Sequence, residues 1–183
     1  MLQVFPLEKV FHLIEPGPVV LVSTFYKGRA NLMTMSWHMM VDFTPPLIAC
    51  ILGPWDYSYK ALKASGQCVI AVPSAAMAEK VVDIGNCSGA DIDKFARFGL
   101  TALPGAKVKA PLVAECFANI ECRVADETLL KKYGLVVLEA VQAWTQAGKR
   151  RPRAFHARGD GTFVVDGKLL NLKERMTKFP ELM

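Results

Sequence analysis

Residues 29–52, Arg-Ala-Asn-Leu-Met-Thr-Met-Ser-Trp-His-Met-Met-Val-Asp-Phe-Thr-Pro-Pro-Leu-Ile-Ala-Cys-Ile-Leu, constrain the fold more than any other part of the chain. They read as strand, loop and strand. Over residues 29–37, Leu32 and Thr34 fall on one parity and Met33 and Met35 on the other, so both faces are largely apolar, as in a strand covered on both sides. The same segment carries five hydrogen-bonding side chains, Asn31, Thr34, Ser36, Trp37 and His38. Each costs roughly 1–3 kcal/mol if buried without a partner. Two readings are open: a core strand whose polar groups bond to neighbouring backbone, or a row of polar groups facing a ligand.

The flanking chain extends the β pattern. Lys27-Gly28 is a tight-turn signal joining a strand at 19–26 to the 29–37 strand as a hairpin. A loop at 39–44 leads to a short apolar strand at 46–52, closed by Gly53-Pro54. Before these, a short helix at 7–13 ends at Glu15-Pro16-Gly17-Pro18. Asp56 is placed to cap a helix at 57–64, with Gly66 ending it. That helix starts beside Ser58, and its free amides suit a phosphate. A strand at 67–72 follows, and Pro73-Ser74 closes it and caps a helix at 75–82. Ser88-Gly89-Ala90-Asp91 has capping-box spacing and predicts a short helix containing Lys94 and Phe95. Longer strands at 113–124 and 132–144 flank a polar turn at 125–128, and a last strand lies at 162–165. The fold class is therefore mainly β with short helices, a small antiparallel barrel whose closure removes exposed edges. A single domain is expected over 1–183, with a core at about 15–145 and a basic extension at 146–183.

Composition narrows the functional classes. The hydrophobic fraction of 52% exceeds the usual range of about 45–50%, yet no run approaches the roughly 20 apolar residues of a membrane helix. The surplus predicts a subunit interface, hence a homodimer, and no membrane association. The first residues, Met-Leu-Gln-Val-Phe-Pro-Leu-Glu-Lys, lack the pattern of a signal peptide, so the expected location is cytoplasmic. Five cysteines without CxxC spacing read as free thiols, with Cys87 beside Ser88-Gly89 the one placed near a ligand. His12, His38 and His156 show no metal-ligand spacing, and no metal is expected. Residues 1–144 hold 13 Lys+Arg against 13 Asp+Glu, whereas residues 145–183 hold nine against four. The basic run Lys149-Arg150-Arg151-Pro152-Arg153 has no aromatic interleaving, so it reads as a solvated or anion-binding loop and nucleic acid is not an expected partner.

No Ser-His-Asp order, paired-carboxylate motif, Walker-type loop or GxGxxG opening a βαβ unit occurs. That absence fits an enzyme whose reactive atom belongs to a cofactor. Asn31-Leu32-Met33-Thr34-Met35-Ser36-Trp37 followed by Pro45-Pro46-Leu47 resembles the flavin-contacting segment of the flavin reductase-like, FMN-binding split-barrel family, which includes the flavoredoxins. Further blocks fall in the family's order: Tyr57-Ser58-Tyr59 with Ser65-Gly66-Gln67, then Ser88 to Phe95, then Ala118-Asn119-Ile120-Glu121-Cys122. Together they span most of residues 15–145.

The resemblance implies an antiparallel FMN-binding split β-barrel with the flavin at a dimer interface. It places Asn31, Met33, Thr34, Ser36 and Trp37 against the isoalloxazine and Ser58 and Lys94 at the phosphate or ribityl chain. It adds Ser88 to the cofactor-binding set and makes Phe163 a C-terminal aromatic over the flavin. Each has a plainer alternative: Trp37 as a buried core residue, Lys94 as an exposed ion pair amid Asp91, Asp93 and Arg97, and Phe163 as a strand residue. Relatives often carry a Gly-Asp-His motif where this chain has Lys131-Lys132-Tyr133-Gly134. Tyr133 then stands in for that contact, and His156 is the nearby histidine left to act as donor. The implied function is an NAD(P)H-dependent flavin oxidoreductase passing hydride or electrons through FMN, with NADH or NADPH as reductant. The alternatives are a non-enzymatic FMN electron carrier serving a redox partner protein, and a basic interaction module without flavin.

Overall fold

The computed structural model describes residues 1–148 and 150–178. Strand β1 (Leu2–Phe5), a 3-10 turn and helix α1 (Phe11–Ile14) precede β2 (Val20–Tyr26), β3 (Arg29–Met35), β4 (His38–Phe43) and β5 (Pro46–Ile51). Helix α2 (Tyr57–Ser65) leads into β6 (Gln67–Val72), followed by helices α3 (Ala78–Gly85) and α4 (Lys94–Arg97) and short strands β7 (Ala102–Leu103) and β8 (Leu112–Val113). Long strands β9 (Ala118–Asp126) and β10 (Leu135–Gln146) flank helix α5 (Leu130–Tyr133), and β11 (Phe155–Ala157) pairs with β12 (Phe163–Val165).

The main sheet is antiparallel in the order β3-β2-β6-β9-β10-β5-β4, with β1 added to β10. Its two end strands, β3 and β4, are consecutive in the chain and separated only by Ser36 and Trp37. Three Cα steps from Met35 to His38 span at most about 11 Å, so the sheet must curl until its ends meet at that connection. The result is a barrel split along a seam between β3 and β4.

Alternation along the strands sorts side chains into two cores. Val20 and Val22 of β2, Met35, Ile48, Cys68, Ile70, Ile120 and Leu138 fill the barrel interior. Leu21, Leu32 and Ala71 point outward against Val81 and Ile84 of α3, Phe95 of α4 and Phe155 of β11. Each such aliphatic side chain contributes roughly 1.5–3 kcal/mol on full burial. Strand β3 is thus a sheet edge covered on both faces, by α3 and α4 on one and the barrel interior on the other. Lys27 and Gly28 turn the β2–β3 hairpin with φ of 50° and 78°, a left-handed pair suited to a two-residue loop.

Several local expectations are corrected. The segment expected as a loop at 39–44 is mostly strand β4, which pairs antiparallel with β5 on either side of a bulge between Met40 and Asp42. Asp56 does not cap α2 with its side chain; its carboxylate turns back and accepts from the Gly53 amide at 2.9 Å. The Ser88–Asp91 capping box does not form. Ser88 Oγ accepts from Ala90 N at 3.1 Å, and Asp93 caps α4 by accepting from Ala96 N at 3.1 Å, since the helix begins later than the spacing suggests. Ser74 makes no side-chain cap. The run expected as a strand from Lys132 begins as helix α5, ended by Gly134 at φ 70°. Beyond β10 the chain returns to the barrel: Phe155 is fully buried, and its carbonyl accepts from Val19 N at 2.9 Å.

Candidate functional site

At the seam, β3, the Ser36-Trp37 connection, the start of α2 and the α3–α4 loop surround two adjoining cavities. The first, of about 170 Å³, is lined by Asn31, Met33, Thr34, Ser58, Ser88 and Lys94 together with Trp55, Asp56, Tyr57, Gly85 and Cys87. The second, of about 190 Å³, is lined by Met33, Thr34, Ser36, Trp37 and Trp55 among others. Met33, Thr34, Trp55 and Asp56 border both, so the two form one groove. One end is polar and the other aromatic.

The polar end has the groups that an anion cradle needs. Lys94 is only 4% exposed, and its Nζ donates to the Ile84 carbonyl at 2.8 Å. No carboxylate of the described residues lies within ion-pair distance of it, which excludes the exposed ion pair. Burial holds the Lys94 ammonium below the usual lysine pKa, with Cys87 pulling the other way. Because Asp56 turns back to Gly53, the amides of Tyr57 and Ser58 at the start of α2 have no acceptor among the described residues. A buried cation and a bare helix start in one cavity suit a phosphate.

The neighbouring contacts are tight. Asn31 Nδ2 donates to Ser58 Oγ at 2.9 Å, tying β3 to α2, and Arg29 donates to the Gly89 carbonyl at 3.1 Å. A Cβ at Gly89 would lie 1.9 Å from Asn31 Oδ1, so only glycine lets this loop close over Asn31. Thr34 Oγ1 donates to the Val81 carbonyl at 2.5 Å, fixing α3 against β3.

At the other end, Trp37 is 70% and Trp55 75% exposed. Trp37 is therefore not a core residue. Trp55 packs over Gly53, where a Cβ would sit 2.1 Å from its ring. It was not foreseen from the sequence, although an aromatic in Gly-Pro-Trp-Asp directly before a helix start is a usable signal. The apolar rims and exposed rings at this end fit a planar aromatic ring system.

Three expected residues lie elsewhere. Tyr133, at the end of α5, has the Lys132 ammonium 4.9 Å over its ring and lines neither cavity. Phe163 packs edge-on to Phe155 at 5.7 Å. His156 bonds to the Gly17 carbonyl at 3.0 Å and to Asp166 at 2.9 Å, which anchors the β11–β12 hairpin. Arg151 of the basic segment donates to the carbonyls of His12 and Leu13, so it closes the end of α1 instead of standing free in solvent. Lys149 lies outside the described residues. Among the described residues no cluster of three or more His, Cys, Asp or Glu side chains is arranged to hold a metal, and no helix is long and apolar enough to cross a membrane.

Known proteins share this architecture. A crystal structure of an FMN-binding domain of a flavin reductases-like enzyme from Shewanella baltica OS155 superposes with a TM-score of 0.85 at 27% identity, covering 93% of this chain and 97% of that one. The flavoredoxin of Desulfovibrio vulgaris (Miyazaki F) gives a TM-score of 0.77 at 28% identity, covering 87% and 91%. In sequence, the uncharacterized protein YddH of Escherichia coli (strain K12) is 31% identical over 177 residues, which covers 88% of this chain and 93% of YddH. The family model for the flavin reductase like domain matches residues 13–163, a range that contains the whole seam. With its split antiparallel barrel and the groove along that seam, the chain belongs to the flavin reductase-like domain family.

Proposed function

We propose that this protein is a cytoplasmic FMN-binding flavoprotein and an oxidoreductase that takes electrons from NADH or NADPH. The buried, carboxylate-free ammonium of Lys94 beside the bare start of α2 carries the reading. A phosphate there would meet charge and amides together, with the groove continuing toward Met33, Thr34, Trp37 and Trp55. Likeness to FMN-binding relatives supports the same assignment. When bound, FMN supplies the redox chemistry. Lys94 and the start of α2 would hold the phosphate, and Met33, Thr34, Trp37 and Trp55 would line the ring system. A second reading, an electron carrier serving a redox protein, is favoured by one observation: Tyr133, standing at the position of the missing Gly-Asp-His, lines neither cavity.

The working unit of this proposal is a homodimer. Trp37, Met39 and Val41, on the approach to β4 and on the strand itself, are 70%, 63% and 51% exposed, and the bulge between Met40 and Asp42 turns Phe43 to the other face, where its ring meets Phe11. An apolar stripe of this kind on an edge strand is the feature a second subunit covers.

The test is titration of flavin-free protein with FMN, followed by anaerobic mixing with NADH or NADPH while flavin absorbance is followed, with sedimentation giving the mass. Saturable FMN binding and rapid bleaching by either nucleotide support the oxidoreductase. Bleaching only by a reduced redox protein selects the carrier, and failure to bind FMN ends both readings.

A further inference from the structure

Next to the phosphate cradle, on the far side of Asn31 and Tyr57, lies a separate pocket of about 260 Å³ between the β2–β3 hairpin and α2. Its lining includes Lys27, Arg29, Lys60, Tyr26, Tyr57 and Thr24, and contains no carboxylate. No carboxylate of the described residues lies within ion-pair distance of these three cations. Like charges gathered without a counter-charge repel one another and raise the local concentration of anions.

A second observation is independent of charge. Thr24 is completely buried, and its Oγ1 has no hydrogen-bond partner among the described residues. A buried hydroxyl facing a pocket without a partner is a group that a ligand satisfies. The pocket walls also offer aromatic surface: Tyr26 and Tyr57 are 39% and 43% exposed. The Lys27 ammonium lies 5.4 Å over the Tyr26 ring, leaving Tyr57 as the open platform.

Tyr57 and Asn31 border both this pocket and the cradle, and Gly89, whose carbonyl accepts from Arg29, packs against both of them. Cations, an aromatic platform and an unpaired hydroxyl side by side match a nucleoside phosphate better than a bare anion, which would leave the ring surface unused.

We propose that this pocket binds the adenosine 5′-phosphate portion of a second nucleotide ligand, with Lys27, Arg29 and Lys60 on the phosphate, Tyr57 against the base and Thr24 hydrogen-bonded to the sugar or base. The proposal rests on the reading of the neighbouring cavity as the flavin phosphate site. Two ligands carry this group, FAD and the nicotinamide reductant.

The probe is 5′-AMP, titrated by calorimetry into FMN-loaded protein, with adenosine as the control. Saturable binding of one AMP per chain is expected, weaker for adenosine. Lys27→Gln/Lys60→Gln should weaken AMP binding about tenfold or more, as expected for charge-assisted contacts, while FMN affinity stays at the parental value because neither lysine lines the cradle. Thr24→Val, which keeps the side-chain shape, should weaken AMP alone. If FAD binds more tightly than FMN and abolishes AMP binding, the occupant is the adenylate of the flavin. If FAD and FMN bind alike and NADPH or NADH displaces AMP, it belongs to the reductant. FMN binding without AMP binding, or AMP binding untouched by the double substitution, overturns the pocket alone. Failure to bind FMN overturns the flavin site on which it rests.

Discussion

Replacing Lys94 with methionine separates a ligand-holding group from a structural one. The parent buries an ammonium, 4% exposed, against one carbonyl at 2.8 Å, and burying an ion in protein costs several kcal/mol. Methionine has similar length and carries no charge. The Ile84 carbonyl retains Cys87 Sγ as a donor at 3.5 Å. Flavin-free Lys94→Met protein should thus range from equally stable to about 2 kcal/mol more stable in urea. FMN binding should lose the charge-assisted bond, about 1.5–3 kcal/mol, or roughly ten- to 150-fold in Kd. Riboflavin, which has no phosphate, should bind parent and variant alike. Flavin fluorescence quenching measures both ligands.

The depressed Lys94 pKa adds a pH signature. Parental FMN affinity should fall with rising pH at values below the usual lysine 10.5. In the flavin-free parent the unfolded state binds the extra proton between the folded pKa and 10.5, so stability rises with pH across that window. Lys94→Met should show neither trend. Parental FMN affinity in the variant, an equal loss for riboflavin, or a stability loss beyond about 3 kcal/mol would refute the reasoning.

Three further outcomes are expected. Gly89→Ala drives a Cβ into Asn31 Oδ1 and the Tyr57 ring, so FMN titration should show weakened binding while the melting temperature falls only slightly. Glu121 is fully buried and accepts from the amides of Ala106, Lys107 and Val108 and from Trp144 Nε1 at 2.6–3.0 Å; Glu121→Ala should cost about 3 kcal/mol or more in urea unfolding by stranding these donors. Burial holds the pKa of His38 below the usual 6.5, with its bond to the Pro18 carbonyl opposing, and Nδ1 has no partner among the described residues. Its share of stability is complete above 6.5 and declines as pH falls below that value, a slope that His38→Gln should remove from denaturation curves.

Much of the fold was legible locally. The turn at Lys27-Gly28, the strands 20–26 and 67–72, the helix from Tyr57 and its stop at Gly66 each follow from residues that force one backbone conformation or one periodicity. The polar row in 31–37 left a core strand and a ligand-facing strand both open, and the family resemblance gathered Asn31, Met33, Thr34, Ser36, Trp37, Ser58, Ser88 and Lys94, which the structure places along one groove. What failed locally was capping. Asp56 and Ser88 sit where a cap is expected, but a side chain chooses among all donors within reach, and the amides of Gly53 and Ala90 were the better placed.

Tertiary structure decided the rest, because burial and adjacency depend on distant chain segments. Whether Trp37 is core or surface turns on the curl that makes β3 and β4 the two edges of one sheet, which no window of neighbouring residues encodes. Lys94 looks like a solvated lysine among charges until α3 and β3 close around it. His156 and Tyr133 were reasonable candidates by residue type, yet Asp166 and Gly17 hold the one and α5 carries the other outside the groove. Residue chemistry selected what this protein can bind; the closing of the barrel selected which of those groups meet.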